Sequence, residues 1–272
     1  MKSAIYIVDD FPPNAHKTWA DLGREQIQDY SKRFNIPIVN TTKDNSGFYK
    51  KFYDTFHKAL PNEKIKEVAY CLKYMRHYEF INSDYDYAYF VDLDFIVTNP
   101  DVNVNDLVKE DTLYINAYNH TKDRAIVPHK FYNKTTPRYH VLKYANPEAD
   151  DDKLINFGTG FYCTGKQTAI DIVDYVKNLG LDPMTEDGIK KLSDVSFPAC
   201  LDETFIGTAC NFGNIKYDFA NIAGLCDEMK FYYEGYRPSV FFHVVGRDAW
   251  WTKDRAYKLS NHFFNYFRNK NG

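Results

Sequence analysis

Two aspartates, Asp92 and Asp94, interrupt the otherwise apolar run of residues 87–97 inside the stretch DYDYAYFVDLDFIVTNP, residues 84–100. Strand alternation would place both carboxylates on one side of the chain. Two like charges so close repel when they are desolvated and unpaired. A divalent cation removes the conflict, because hard carboxylate oxygens bind Mn²⁺ or Mg²⁺ and the ion can in turn hold a diphosphate. Two other readings remain open. The acids could simply end a strand and cap the next element, or the pair could belong to a haloacid-dehalogenase-type phosphatase. There, the first Asp of an Asp-x-Asp attacks phosphate and the second is the acid/base. In such enzymes the motif opens the first strand, whereas here about ninety residues precede it.

Other residues carry chemistry at a distance. Asp9 and Asp10 end an apolar run, where they could accept hydrogen bonds from a base N–H and ribose hydroxyls, or start a turn before Pro12-Pro13. Lys73 and Arg76 could reach a diphosphate or sugar, although a solvated helix face is the plainer role for Lys73. Asn156, Gly158 and Gly160 could line a sugar pocket, glycine allowing a ligand close to the backbone. Asp202 and Glu203 could meet donor hydroxyls and the reacting centre, or serve as an ordinary helix cap.

The elements that must position these groups are legible in the periodicity. SAIYIV and residues 36–40 read as strands. Trp19, Leu22, Ile27, Tyr30 and Phe34 give a helix face, as do Phe48, Phe52, Phe56 and Leu60 before Pro61. A third helix runs to Phe80 with Asn62 as its cap candidate, and a single strand then carries both aspartates. This alternation predicts an α/β fold with a mostly parallel sheet flanked by helices. In the second half, 112–118, 158–164 and 239–246 read as strands, and 167–178 and 201–211 as helices. Residues 119–153 form a long polar stretch without a period. One domain spans 1–272, with residues 1–100 as a nucleotide-binding half and 101–272 supplying the acceptor side and completing the metal site.

With 272 residues, 44% apolar and 26% charged, the chain is in the globular range, and its net charge of −3 gives no global attraction to nucleic acid. The 23 Tyr and 21 Phe suit either polyhydroxylated ligands or an aromatic core. Five cysteines without a CxxC pair point to a reducing compartment. No leader-length or membrane-spanning apolar run occurs, so a cytoplasmic protein is expected. Residues 120–140 hold five Lys/Arg and three His. This segment reads as a lid or acceptor loop in which Lys130, Lys134 and Arg138 could meet a phosphate-bearing acceptor, nucleic acid included. Leu259, Phe263 and Phe267, with basic residues after them, could close the core or graze an anionic membrane.

The ordered set of motifs resembles family 8 glycosyltransferases of the GT-A (Rossmann-like) fold, the group of lipooligosaccharide galactosyltransferases and glycogenin. The Asp-x-Asp is joined late in the chain by His243, Gly246 and Trp251, similar in spacing to the family's His-x-x-Gly-x-x-Lys-Pro-Trp, with Ala249 and Trp250 where the family has Lys and Pro. Asp9-Asp10, Tyr74-Met75-Arg76, Asn156-Phe157-Gly158 and Asp202-Glu203 are similar to further family motifs, with Glu in place of the family's Gln at 203. The resemblance implies a Mn²⁺- or Mg²⁺-dependent transfer from a nucleotide sugar, a UDP-sugar, to an acceptor hydroxyl with retention. It implies Asp92, Asp94 and His243 as metal ligands. It implies Asp9, Asp10, Arg76, Asn156 and Gly246 at the donor, and Asp202 and Glu203 at the reacting centre. Arg247 or Lys253, in the same late loop, would replace the missing Lys against the diphosphate. The acceptor is a glycan or, alternatively, a hydroxymethylated base in viral DNA.

Overall fold

The computed structural model describes residues 1–9, 19–65, 68–117, 136–198, 200–228 and 239–243. The first half runs β1 (Ser3–Val8), α1 (Trp19–Phe34), β2 (Ile38–Thr41), α2 (Gly47–Ala59), α3 (Val68–Ile81), β3 (Tyr87–Val91) and β4 (Phe95–Val97). The second half adds β5 (Leu113–Ala117), α4 (Pro137–Ala145), β6 (Phe157–Gly165), α5 (Lys166–Asn178), α6 (Glu186–Val195), α7 (Leu201–Phe212), β7 (Tyr217–Phe219), β8 (Cys226–Glu228) and β9 (Phe241–His243).

Local chemistry explains the boundaries. β1 and β3 are buried along their whole length, as strands covered on both faces are. Ser46 caps α2 by accepting from the Tyr49 amide at 3.0 Å, and Pro61 stands just past the end of that helix. Asn62 does not cap α3. It lies in the turn after α2, and α3 is described from Val68. Gly180, with φ of 72°, takes the left-handed turn after α5.

Six strands form the main sheet in the order β2-β1-β3-β6-β5-β7. β1 is parallel to β2 and β3, and β5 to β7, while β6 is antiparallel to both β3 and β5. The sheet is therefore mixed and mostly parallel, with helices packed against it, as expected. A second sheet of three strands has the order β4-β9-β8. Aromatic residues fill the core: Tyr6, Tyr74, Tyr87, Tyr89, Tyr162, Phe80 and Phe90 have no exposed surface. All five cysteines are unbridged.

Three sequence expectations change. The apolar run 87–97 is two strands in two sheets, so Asp92 and Asp94 occupy the bend between them. The aperiodic stretch 119–153 contains α4 and a 3-10 turn at Asp151–Lys153. α6 is a further helix that the sequence pattern does not announce. Its amphipathic stretch is short and carries a glycine, Gly188, packed against the Asp182 carbonyl.

Candidate active site

β1 and β3 are parallel neighbours, so their carboxyl ends lie side by side, the edge of an open sheet where ligands bind. Asp9 comes directly after β1 and Asp92 directly after β3. The Asp92 amide donates to the Gly160 carbonyl of β6 at 3.3 Å, anchoring the bend. From the other side α1 presses on it at Gly23, where a Cβ would stand 1.9 Å from the Leu93 carbonyl oxygen. Only glycine permits that approach.

His243 arrives by strand register. β4 and β9 pair antiparallel with Phe95 opposite His243, so the imidazole comes beside Asp94 although 149 positions separate them in sequence. The rings of Phe95 and His243 stack at 4.7 Å and 9°. His243 Nε2 lies 3.3 Å from Asp94 Oδ1. Donor atoms of Asp92, Asp94 and His243 all fall within 4.8 Å of one another. Gly160 makes room for the imidazole, since a Cβ there would meet the ring.

Cations sit behind the acids. Lys73 donates to Asp92 Oδ2, so it is an internal partner of the site and does not lie on a solvated helix face. Arg76, expected to touch a donor, has no exposed surface. Its guanidinium donates to the Tyr6 and Val91 carbonyls at 3.1 Å each, tying the ends of β1 and β3, and stands 3.7 Å from Asp92 Oδ1. Burial pushes the Asp94 carboxyl up, but His243 and Lys73 more than offset it and hold it below its ordinary value. Burial works against the charge on Lys73, which Asp92 and Asp202 nevertheless hold well above its usual range.

Asp202 and Glu203 lie in the first turn of α7, where a negative charge suits the helix dipole. Neither is the N-cap. That position is Cys200, which makes no side-chain cap bond. Burial pushes Asp202 up to about 6, Lys73 pulling the other way and the neighbouring Glu203 adding to the rise. Glu203 accepts from Arg138, which also donates to Asn156 Oδ1. Asp9 is at the strand end as expected, but both its oxygens accept from Arg24, at 2.5 and 2.8 Å. Asp10, Gly246, Arg247, Trp251 and Lys253 lie outside the described residues, as do Lys130, Lys134 and the tail.

Sequence reasoning misses Gly23, Arg24 and the inward course of Arg138. Gly23 and Arg24 leave no signal beyond residue type. Arg138 belongs to a basic run that hides its partner.

No family model matches the sequence, and no curated protein matches it. In structure the chain resembles a glycosyltransferase involved in the glycosylation of the major capsid of PBCV-1. The TM-score is 0.50 at 10% identity, over 95% of this chain and 99% of that one. An active-site mutant of LgtC aligns with a TM-score of 0.49 at 11% identity, over 96% and 95% of the two chains. Mouse xyloside xylosyltransferase 1 aligns at 0.45 and 10%, over 89% and 96%. The first likeness gives the fold: the chain has the α/β GT-A fold. The phosphatase alternative is left without support, since the Asp-x-Asp comes after the third strand and β1 runs into Asp9-Asp10, which lacks that spacing. Among the described residues no helix is long and apolar enough to cross a membrane.

Proposed function

We propose that the protein is a metal-dependent glycosyltransferase that moves a sugar from a UDP-sugar to an acceptor hydroxyl. The observation that carries this reading is the meeting of Asp92, Asp94 and His243 at the strand ends of a chain with this fold. The donor set suits a divalent ion: Asp92 Oδ1 and Asp94 Oδ1 are buried and accept no hydrogen bond. Two carboxylates with an imidazole favour Mn²⁺ over Mg²⁺, which prefers oxygen alone. The ion, when bound, supplies a Lewis acid for the diphosphate leaving group.

The chain's own residues divide the remaining work. Arg76 and Lys73 hold Asp92 from behind and keep the acid pair in register. Asp9, fixed by Arg24, offers its remaining lone pairs to the nucleoside at the end of β1. Asp202 faces the reacting region from α7, and a carboxyl that titrates near 6 is suited to proton exchange close to neutral pH. The half from residue 101 onward supplies β9 and α7, and so the metal-completing and acceptor side. A glycan hydroxyl is the acceptor favoured here. A modified DNA base is the lesser alternative, because a net charge of −3 gives no global attraction to a polyanion.

A thermal-shift screen of nucleotide sugars with and without Mn²⁺ tests the reading. A ligand that binds the folded state raises Tm by mass action, so one UDP-sugar together with Mn²⁺ should stabilise more than either alone. Absence of any such pair across the panel would overturn it.

A further inference from the structure

Arg138 stands in the first turn of α4, two residues after Thr136, whose hydroxyl caps the helix. Its guanidinium leaves α4 and joins two other elements. It donates to Glu203 at the start of α7 and to Asn156 just before β6, and lies 3.4 Å from the Phe157 carbonyl. The Arg138 and Glu203 side chains are 22% and 11% exposed, so the pair is largely withdrawn from water. Only a planar guanidinium fork can satisfy two acceptors in fixed relative positions, and an ammonium cannot reproduce that.

Glu203 is the chain neighbour of Asp202. Successive helix residues point about 100° apart, so the two acids face different groups. Asp202 faces the charge of Lys73 and Arg76, and its oxygens are buried without a hydrogen bond of standard geometry, although the Thr159 hydroxyl favours its charged form. Glu203 faces Arg138. The ion pair with Arg138 holds Glu203 in a fixed place beside Asp202.

We propose that Arg138 is a positioning residue for sugar transfer: it clamps Glu203 and Asn156 into one wall of the donor-sugar site and leaves Asp202 as the acid that meets the sugar. The inference rests on the glycosyltransferase reading above. It also withdraws Arg138 from the acceptor loop, because its guanidinium is engaged inward and is not offered to an acceptor phosphate.

The test compares the parent with Arg138→Lys, Arg138→Met, Glu203→Gln and the double variant Arg138→Met/Glu203→Gln. UDP release is measured with Mn²⁺ and a nucleotide-sugar panel, and Tm is measured in parallel. Arg138→Met should lower kcat by about tenfold or more while donor KM changes by less than about threefold, because a transition-state arrangement is lost rather than uniform binding. Arg138→Lys should fall between, keeping charge without the fork. The double variant should recover part of the loss, since the buried charge no longer lacks a partner. If Arg138→Met does not fold, Arg138→Lys and the double variant carry the comparison. A parent-like kcat in the Arg138 variants, with or without a fall in Tm, would overturn the inference, and so would a rise confined to donor KM. A parent that releases UDP from no nucleotide sugar would overturn the glycosyltransferase reading itself, and the inference with it.

Discussion

The imidazole of His243 lies directly on Gly160: a Cβ built there would stand 2.1 Å from the ring's Cε1. The same glycine accepts from the Asp92 amide through its carbonyl. One residue of β6 thus sets both the bend that carries the acids and the plane of the ring beside them. Gly160→Ala should displace the imidazole, because overpacking at this distance costs about 1–3 kcal/mol unless a group moves. Mn²⁺ affinity should fall by roughly tenfold, with a smaller change in Tm. A calorimetric Mn²⁺ titration checks this, and an unaltered affinity would show that the ring is not a ligand.

Asp202 gives a stability prediction with a definite sign. Burial raises its carboxyl from 3.8 to about 6, so the fold favours the protonated acid. The stability it contributes is present below its ordinary range and is lost as pH rises through about 6. Asp202→Asn should therefore be more stable than the parent above pH 6, by on the order of 2–3 kcal/mol, with the difference vanishing below about pH 4. Urea denaturation across that range measures it. The same variant should lose activity at neutral pH. A variant less stable than the parent at pH 8 would refute this role of Asp202.

His77 has no exposed surface and stacks against the rings of Phe90 and Tyr162, at 4.8 and 5.3 Å. Burial, aided by Arg76, lowers its imidazole from 6.5 to about 3, so it is neutral in the fold. Its contribution is complete above pH 6.5 and is lost as pH falls toward 3, where only the unfolded chain takes the proton. His77→Phe keeps the stack and removes the titration. It should match the parent near pH 7 and unfold less readily at pH 4, by about 1.4 kcal/mol for each pH unit below 6.5. Identical acid-unfolding midpoints would exclude His77 as a source of acid lability.

The range of the interactions decides which parts of this site are legible in the sequence. Asp92, Asp94 and His243 stand out because residue type and motif spacing are local properties, and the structure does bring them together. The break at Asp92 is hidden because Phe95, Ile96 and Val97 are as apolar as Tyr87 to Val91. A strand that changes sheet keeps the same period. α4 opens on a proline and is nine residues long, with Arg138 and Lys143 set among its apolar residues, so its helical face is weak in sequence. Lys73–Asp92, Arg24–Asp9 and Arg138–Glu203 are tertiary contacts, and nothing in the spacing of a lysine or arginine tells a solvated face from an inward one.

Lys73 permits a sharper test of the acid pair. Because it donates to Asp92, Asp92→Asn removes a charged ligand and also breaks the Lys73–Asp92 ion pair, whereas Asp94→Asn leaves that ion pair in place. Both substitutions should abolish transfer. Asp92→Asn should also cost roughly 1–3 kcal/mol of stability, more than Asp94→Asn does, as expected when one member of a shielded ion pair is lost. Equal losses of stability in the two variants would show that Lys73 contributes little through Asp92.

On the proposed reading, Asp92, Asp94 and His243 act as one divalent-metal site that works with a nucleoside diphosphate. Electron paramagnetic resonance of Mn²⁺ titrated into the protein with and without UDP tests this without depending on the acceptor. The parent should bind one Mn²⁺ per chain, more tightly with UDP present. Binding should be lost in Asp94→Asn and weakened in His243→Ala. Mn²⁺ that stays wholly in solution with the parent and UDP, or that binds Asp94→Asn as tightly as the parent, would overturn it.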